Sequence, residues 1–336
     1  MPNLPSVQVP QFLVLGSFIQ ACCWRVARLP RAGESLQATG FQIELGGKGL
    51  NVAIGIARLS TRRVVDIVLG VGRDAPAQQV RQLLLDEGIG IEYVYSLADQ
   101  SGCGSGHIGS DGANAIAVFS GPNTLLTAQH AELLHARIAA ADLVYAQFET
   151  SYPLIARVFE LAKQTQSGRV PLTVLNPSPW QYLTPELLQW VDVLLVNATE
   201  ADALLGLSLA LEALTLAAAA DRMASAVSAL WRQWPAARTR HLIVTLGPVG
   251  CVYFSCGGEC IAVPSFLVRS AVDTVGCGDA FASALCVGLA RRDPWDSILR
   301  QANACGAMVA ARLGVLSALP TADAVRQFTA TTRSVP

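Results

Sequence analysis

Asp273-Thr274-Val275-Gly276-Cys277-Gly278-Asp279-Ala280-Phe281 is the stretch from which the rest of the chain can be read. An apolar, strand-like run at 261–272 precedes it. Residues 280–290, rich in alanine with spaced large apolar side chains, read as a buried helix. The expected order is strand, glycine turn, helix. At such a turn the first backbone N–H groups of the helix have no intrahelical partner, and glycine lets an anion approach the backbone closely. Gly276, Cys277 and Gly278 therefore read as an oxyanion or phosphate cradle. Asp279, at the start of the helix, would place a carboxylate facing that cradle, where it can take a proton from a group attacking a phosphate. An aspartate that merely caps the helix is the competing reading of the same letters.

Composition narrows the classes. A chain of 336 residues, 52% hydrophobic, can bury a large α/β core. Only 15% of residues are charged and the net charge is −1, with no basic stripe, so neither nucleic acid nor an anionic membrane is expected as a partner. No apolar stretch reaches the length needed to cross a bilayer, and the runs at 12–19 and 191–196 are strand-sized. Met1-Pro2-Asn3-Leu4-Pro5 lacks the charged and apolar regions of a secretion signal. Nine scattered cysteines and four histidines without metal-ligand spacing read as reduced thiols of a cytoplasmic protein.

Along the chain, residues 12–17 read as a buried strand ending in a turn. Residues 24–29 and 41–45 alternate as two half-exposed strands, either a lid over a site or a plain edge hairpin. Gly46-Gly47-Lys48-Gly49-Leu50-Asn51 then opens a helix to about Ser60; its glycines would let the chain pass close to a ligand, and Lys48 and Asn51 offer hydrogen-bond donors. A βα unit follows from Arg63 to Glu87, then a glycine-rich strand at 102–109, an Asp111-Gly112 turn and a strand at 113–119. His107, alone in a glycine-rich strand, reads as a surface or hydrogen-bonded residue with no proton-transfer role. Strands ending at Gln147-Phe148-Glu149, at Asn176-Pro177 and at Asn197 would open on the ligand-binding edge of a parallel sheet. Glu149 is either a ligand contact or a cap on the next helix. Gly206 reads as a helix stop, 209–234 as a long helical stretch, 242–250 as a strand with a glycine turn, and 295–313 as a helix.

The 273–281 string resembles the second signature of the ribokinase-like (PfkB) carbohydrate kinases, D-T-x-G-x-G-D-x-F, through Asp273, Thr274, Gly276, Gly278, Asp279 and Phe281. The 46–51 string resembles the first signature, G-G-K-G-x-N. The resemblance covers about residues 11–325. It implies an α/β fold with a doubly wound, mostly parallel sheet flanked by helices and a small β lid from discontinuous segments near 17–46 and 101–121, in one domain over 1–336. It also implies ATP-dependent transfer of the γ-phosphoryl group to a hydroxymethyl group of a sugar or sugar-like molecule. Asp279 would be the base, the Gly276, Cys277 and Gly278 backbone the anion hole, and Gly46, Gly47, Lys48, Asn51, Glu149 and Asp273 would belong to the acceptor site. The string Asn197-Ala198-Thr199-Glu200 resembles the N-x-x-E motif, implying that Asn197 and Glu200 organise Mg²⁺ through water near the nucleotide. Thr245, Gly247, Gly250 and Asn303 inherit nucleotide contacts, and carbonyls near Asp273, Val275 and 312–315 imply a K⁺ site.

One element departs from the pattern. The family's Gly-Ser-x-Asn-x-Asp after the first strand is here Gly16-Ser17-Phe18-Ile19-Gln20-Ala21, so Ile19 and Ala21 stand where two sugar-anchoring side chains are expected. Losing a charge-assisted contact costs on the order of 1.5–3 kcal/mol for a substrate that expects it. A nucleoside kinase of the same fold is therefore the runner-up. A non-catalytic sugar or nucleotide sensor is the rival from another class, and pairing of two copies through the lid strands stays open. A dinucleotide dehydrogenase is disfavoured, because no G-x-G-x-x-G follows the first strand.

Overall fold

The computed structural model describes residues 9–60, 64–111, 113–165, 169–209, 215–234, 240–268 and 271–334. Met1–Pro5, Arg63, the Gly112 half of the expected turn and positions 210–214 of the expected long helical stretch lie outside them. Thirteen strands run in chain order as β1 (Phe12–Leu15), β2 (Ile19–Val26), β3 (Gly40–Gly46), β4 (Val65–Val71), β5 (Val94–Ser96), β6 (Cys103–Gly109), β7 (Asn114–Phe119), β8 (Leu143–Gln147), β9 (Leu172–Asn176), β10 (Val193–Asn197), β11 (His241–Thr245), β12 (Gly250–Ser255) and β13 (Cys260–Pro264) among the described residues. The helices are α1 (Lys48–Leu59), α2 (Ala75–Asp86), α3 (Ala128–Glu132), α4 (His135–Ala140), α5 (Tyr152–Gln164), α6 (Pro185–Leu188), α7 (Ala198–Leu205), α8 (Leu216–Gln233), α9 (Cys277–Arg291), α10 (Trp295–Ala310) and α11 (Ala322–Thr331).

Nine strands form one sheet in the order β13-β12-β11-β10-β9-β8-β1-β4-β5. The seven from β11 to β5 are parallel; at one edge β12 pairs antiparallel with β11 and β13 antiparallel with β12, so β12 alone runs against the other strands of this sheet. The parallel strands are near-continuous apolar runs such as Phe-Leu-Val-Leu in β1, as expected where both faces are covered. Alternate residues divide between two cores: Phe12 and Val14 pack with α1, α9 and α10, while Leu13 and Leu15 pack with α5 and α8. Strand order reverses between β1 and β8, and their carboxyl ends open at Ser17 and at Gln147.

The second sheet, β3-β2-β6-β7, is the lid, built from the two separated segments expected. Its first strand starts at Ile19 rather than Trp24, because β3 pairs it on one side and β6 on the other. Ile19 and Ala21 thus belong to the lid ladder itself. A second difference concerns the run before the organising turn: β13 ends at Pro264, and 265–268 and 271–273 are irregular, positions 269–270 of the expected run lying outside the described residues. Its backbone donors leave the ladder, Ser265 to Val249, Leu267 to Arg333, and both Val272 and Asp273 to the Ala310 carbonyl. Buried Phe266, packed on Phe328, and these backbone bonds hold the segment on α10 and the C-terminal region instead of extending the sheet, while Leu267 and Val272 stay exposed. Helix α10 likewise stops at Ala310, not Leu313.

Gly49 shows how tightly the first helix meets the first strand: a Cβ on it would lie 2.3 Å from Gly16 Cα. Gly49→Ala is expected to lower unfolding free energy by ~1–3 kcal/mol. An unchanged denaturation midpoint would refute this reading of the contact.

Candidate active site

Helix α9 begins without a side-chain cap. Its N-cap is Gly276, at φ 81°, and Asp279 makes no capping bond. Asp279 instead lies buried in the first turn, where Asn51 Nδ2 of α1 donates to its Oδ2 at 2.7 Å. One turn further along both helices, a Cβ on Gly55 would sit 2.2 Å from Ser283 Oγ. Positions 51 and 55, and likewise 279 and 283, share a helix face at i, i+4 spacing. The close approach at Gly55 therefore sets the distance at which Asn51 meets Asp279. Sequence reading missed Gly55 and Ser283, because a lone glycine inside a helix carries no signal of what it touches.

Burial pushes the Asp279 carboxyl up to about 6, against the pull of Lys48 and the Asn51 hydrogen bond, and Glu149 adds to the rise. Asn51 Oδ1 and the Tyr145 hydroxyl are buried without a hydrogen-bond partner. Tyr145 is held neutral by burial and by the nearby carboxylates of Asp279, Glu149 and Glu200.

Glu149, past the end of β8, does not cap the helix that follows it. Its Oε2 accepts from Ser17 Oγ at 2.7 Å and from the Lys48 backbone N–H at 2.9 Å, so it closes the open start of α1. Lys48 Nζ stands 4.0 Å from its other oxygen. Gly47, at φ 116°, answers to the same junction: a Cβ there would meet Ser17 O at 2.4 Å. The glycines at 47 and 49 thus serve the helix–strand approach, while Gly46, at the end of β3, leads into it. Asn123, which sequence reading passed over, pins the β1–β2 turn through Phe18, accepting from its N–H and donating to its carbonyl, both at 2.8 Å.

The cradle is open on the side that matters. A Cβ on Gly278 would meet nothing within 4 Å, whereas one on Gly276 would strike Val315 Cγ1 at 2.5 Å. Gly276 is a packing and φ requirement; Gly278 leaves room for a ligand. The Cys277 thiol is pushed up to about 11 by burial, Asp273 and Asp279, so it is neutral. Asp273 Oδ1 accepts from the Val275 N–H at 3.0 Å.

On the other flank, Asn197 and Glu200 form a reciprocal capping box on α7, with Glu200 N–H to Asn197 Oδ1 at 2.9 Å and Asn197 N–H to Glu200 Oε2 at 3.0 Å. Asn197 pairs in register with Thr245, so both lie at the carboxyl ends of adjacent parallel strands. Gly247, at φ 58°, faces open space, but Gly250 packs against Val263 O. Asn303 is buried and donates Nδ2 to the carbonyls of Val263 and Pro264, tying α10 to β13. No group of three or more His, Cys, Asp or Glu suited to a metal occurs among the described residues. All nine cysteines are free, and no described helix is long and apolar enough to cross a membrane.

The pattern of the pfkB family carbohydrate kinases matches residues 10–322. The chain is 29% identical over 316 residues to the ribokinase of Haemophilus influenzae, covering 94% of this chain and 97% of that one. It is 30% identical to the ribokinase of Bacillus subtilis, with coverages of 89% and 92%. Among solved structures, Arabidopsis thaliana ribokinase complexed with ribose and ATP superposes with a TM-score of 0.82 at 25% identity, over 96% of this chain and 99% of that one.

A buried carboxylate raised this far weighs on the fold above its folded pKa and is relieved as it protonates, so its penalty is full at pH 8 and fades as pH falls through about 6. Asp279→Asn, which keeps an acceptor for Asn51, is expected to stabilise the protein by ~1–3 kcal/mol at pH 8. The gain should shrink toward zero near pH 4 in chemical denaturation. A pH-independent difference would contradict this account of the burial.

Proposed function

This chain belongs to the pfkB family of carbohydrate kinases, phosphotransferases with an alcohol group as acceptor, and from that membership we propose that it transfers the γ-phosphoryl group of ATP to a hydroxymethyl group of a sugar or sugar-like molecule. The observation that carries the proposal is the buried Asp279 carboxylate, held by Asn51 beside the open Gly278 backbone. Asp279 takes the proton of the attacking hydroxyl. Backbone N–H groups at 276–278, at the positive end of α9, stabilise charge on the transferring group. The unpaired Asn51 Oδ1 accepts from an acceptor hydroxyl, and Lys48 balances charge on the phosphate side.

The nucleotide lies in this proposal along Asn197, Thr245 and Gly247, with Gly250 and Asn303 supporting the wall behind it. Mg²⁺ would be held through water by Glu200 and Asn197; the donor set fits, because the capping box engages only Oε2 of Glu200 and Mg²⁺ keeps most of its waters. Bound there, Mg²⁺ supplies charge neutralisation at the phosphates. A K⁺ ion would take carbonyls near Asp273 and Val275 and of the 312–315 segment, which the bonds of Val272 and Asp273 to Ala310 O bring close. The whole chain acts as one kinase domain in the cytoplasm. Two copies meet through the outward lid face, where Phe41, Ile43 and Phe119 are exposed. A nucleoside acceptor is the second reading, favoured by the apolar Ile19 and Ala21 on the lid.

ADP release with ATP and Mg²⁺ across pentoses, hexoses, keto-sugar acids and nucleosides tests the proposal. Turnover on one class is expected, with kcat falling at least ~10³-fold in Asp279→Asn and an acid limb in kcat/KM near the Asp279 value of about 6. ATP binding without turnover on any acceptor would instead favour a sensor.

A further inference from the structure

The lid carries a single acidic side chain across its four strands, Glu44. Glu44 is the direct antiparallel partner of Ala21, so the two side chains leave the ladder on the same face. Cys23 with Gln42, and Arg25 with Gly40, continue that face outward. All four line a cavity of ~200 Å³ between the lid and the segments carrying Asp273 and Gly314. Glu44 lines it too, half-buried and reaching across it: a Cβ on Gly314 would come within 3.2 Å of its Oε1. Gln42 Nε2, on the same strand, donates to that oxygen.

Apart from Cys23, Gln42 and Arg25, the inward positions around Glu44 offer little to a polar ligand. Ile19 and Ala21 are apolar, and Gly104 and Gly106 on β6 have no side chain. Opposite Glu44 stands a second carboxylate, Asp273, close enough to raise the Glu44 pKa after burial itself does so. Two carboxylates facing one cavity repel each other, and hydroxyl donors placed between them relieve that repulsion.

Resting on the kinase reading, we propose that Glu44 is the lid's substrate-binding residue and accepts hydrogen bonds from hydroxyls of a polyhydroxylated acceptor whose reacting hydroxymethyl group lies toward Asp279. The carboxylate that anchors the acceptor comes from β3 rather than from the neighbouring position on β2, where Ala21 leaves it room. Strand β3 runs directly through Gly46 and Gly47 into Lys48, so the same segment carries the lid anchor and the start of α1. Specificity then follows hydroxyl pattern rather than apolar bulk.

The experiment measures ADP release with D-ribose, 2-deoxy-D-ribose, D-fructose, 2-keto-3-deoxy-D-gluconate and inosine, using the parent protein, Glu44→Ala, Glu44→Gln and the double variant Ala21→Asp/Glu44→Ala. For the acceptor with the highest parent kcat/KM, Glu44→Ala is expected to raise acceptor KM at least ~10-fold, with kcat and ATP KM within about threefold. Glu44→Gln, which keeps one acceptor oxygen, should fall between. The double variant, which moves the carboxylate across the ladder, should bring KM back toward the parent value. Acceptor KM within about twofold of parent in Glu44→Ala overturns the inference and leaves the kinase reading standing. A parallel rise in ATP KM with a lowered melting temperature marks a structural role and overturns it as well. No ADP release by the parent with any of the five overturns the kinase reading, and this inference with it.

Discussion

The bond between Asn51 and Asp279 joins two helix starts that lie 228 residues apart in the chain, and most of the site depends on it. It takes a carboxylate out of water and gives it one neutral donor, which is too little to offset desolvation; the result is a group poised near neutrality rather than a settled anion. That state is stable only because the surroundings are over-determined. The α1–α9 approach is fixed by Gly55 against Ser283, and Ser283 Oγ in turn donates to the Asp279 carbonyl at 2.8 Å. Because the carboxylate and its donor sit on different helices, a shift of one helix against the other would part them, and the contact at Gly55 opposes that shift.

The same economy governs the start of α1. Its free N–H groups need an anion, and Glu149 supplies one from the next parallel strand across the strand-order reversal. Ser17 bonds to the same carboxylate oxygen, so the end of β1, the start of α1 and the end of β8 are held at one point. Both of these bonds fall on Oε2, so the other oxygen of the carboxylate can still accept from a ligand. The edge of the parallel sheet is thereby built as a rigid rim, with Asp279 and Asn51 on its inner side.

Much of this was legible in the letters and some was not. The glycine turn, the helix after it and the parallel strands could be read because each is a local pattern: apolar period, glycine at positive φ, alanine-rich burial. The two sheets and the split lid followed from the resemblance in 273–281 and 46–51. The run at 261–272 misled because apolar composition does not encode ladder pairing: Leu267 and Val272 are exposed, and the backbone donors of Ser265, Leu267 and Val272 found Val249, Arg333 and Ala310 instead. Glu149 was readable as a ligand contact or a cap, but its helix turned out to be α1, a partner 101 residues distant that no local pattern encodes. Asn197 and Glu200 were visible as a capping box and as a metal motif at once, since both readings use the same side chains.

The glycines separate structural need from room for a ligand. Gly47, Gly49, Gly55 and Gly276 are each pressed against neighbouring atoms, and Gly47 and Gly276 also have positive φ, so their missing side chains are explained by packing and backbone conformation. Gly278 is different: nothing occupies the space its side chain would fill, and no positive φ demands glycine there. In a helix start that is otherwise closely packed, a glycine that costs ~1 kcal/mol relative to alanine and relieves no contact points to an occupant absent from the chain itself. Its position, one residue before the buried Asp279 and at the positive end of α9, suits an anion beside a proton acceptor, as the proposed transfer requires. Phosphoryl transfer is the chemistry that needs both in one place.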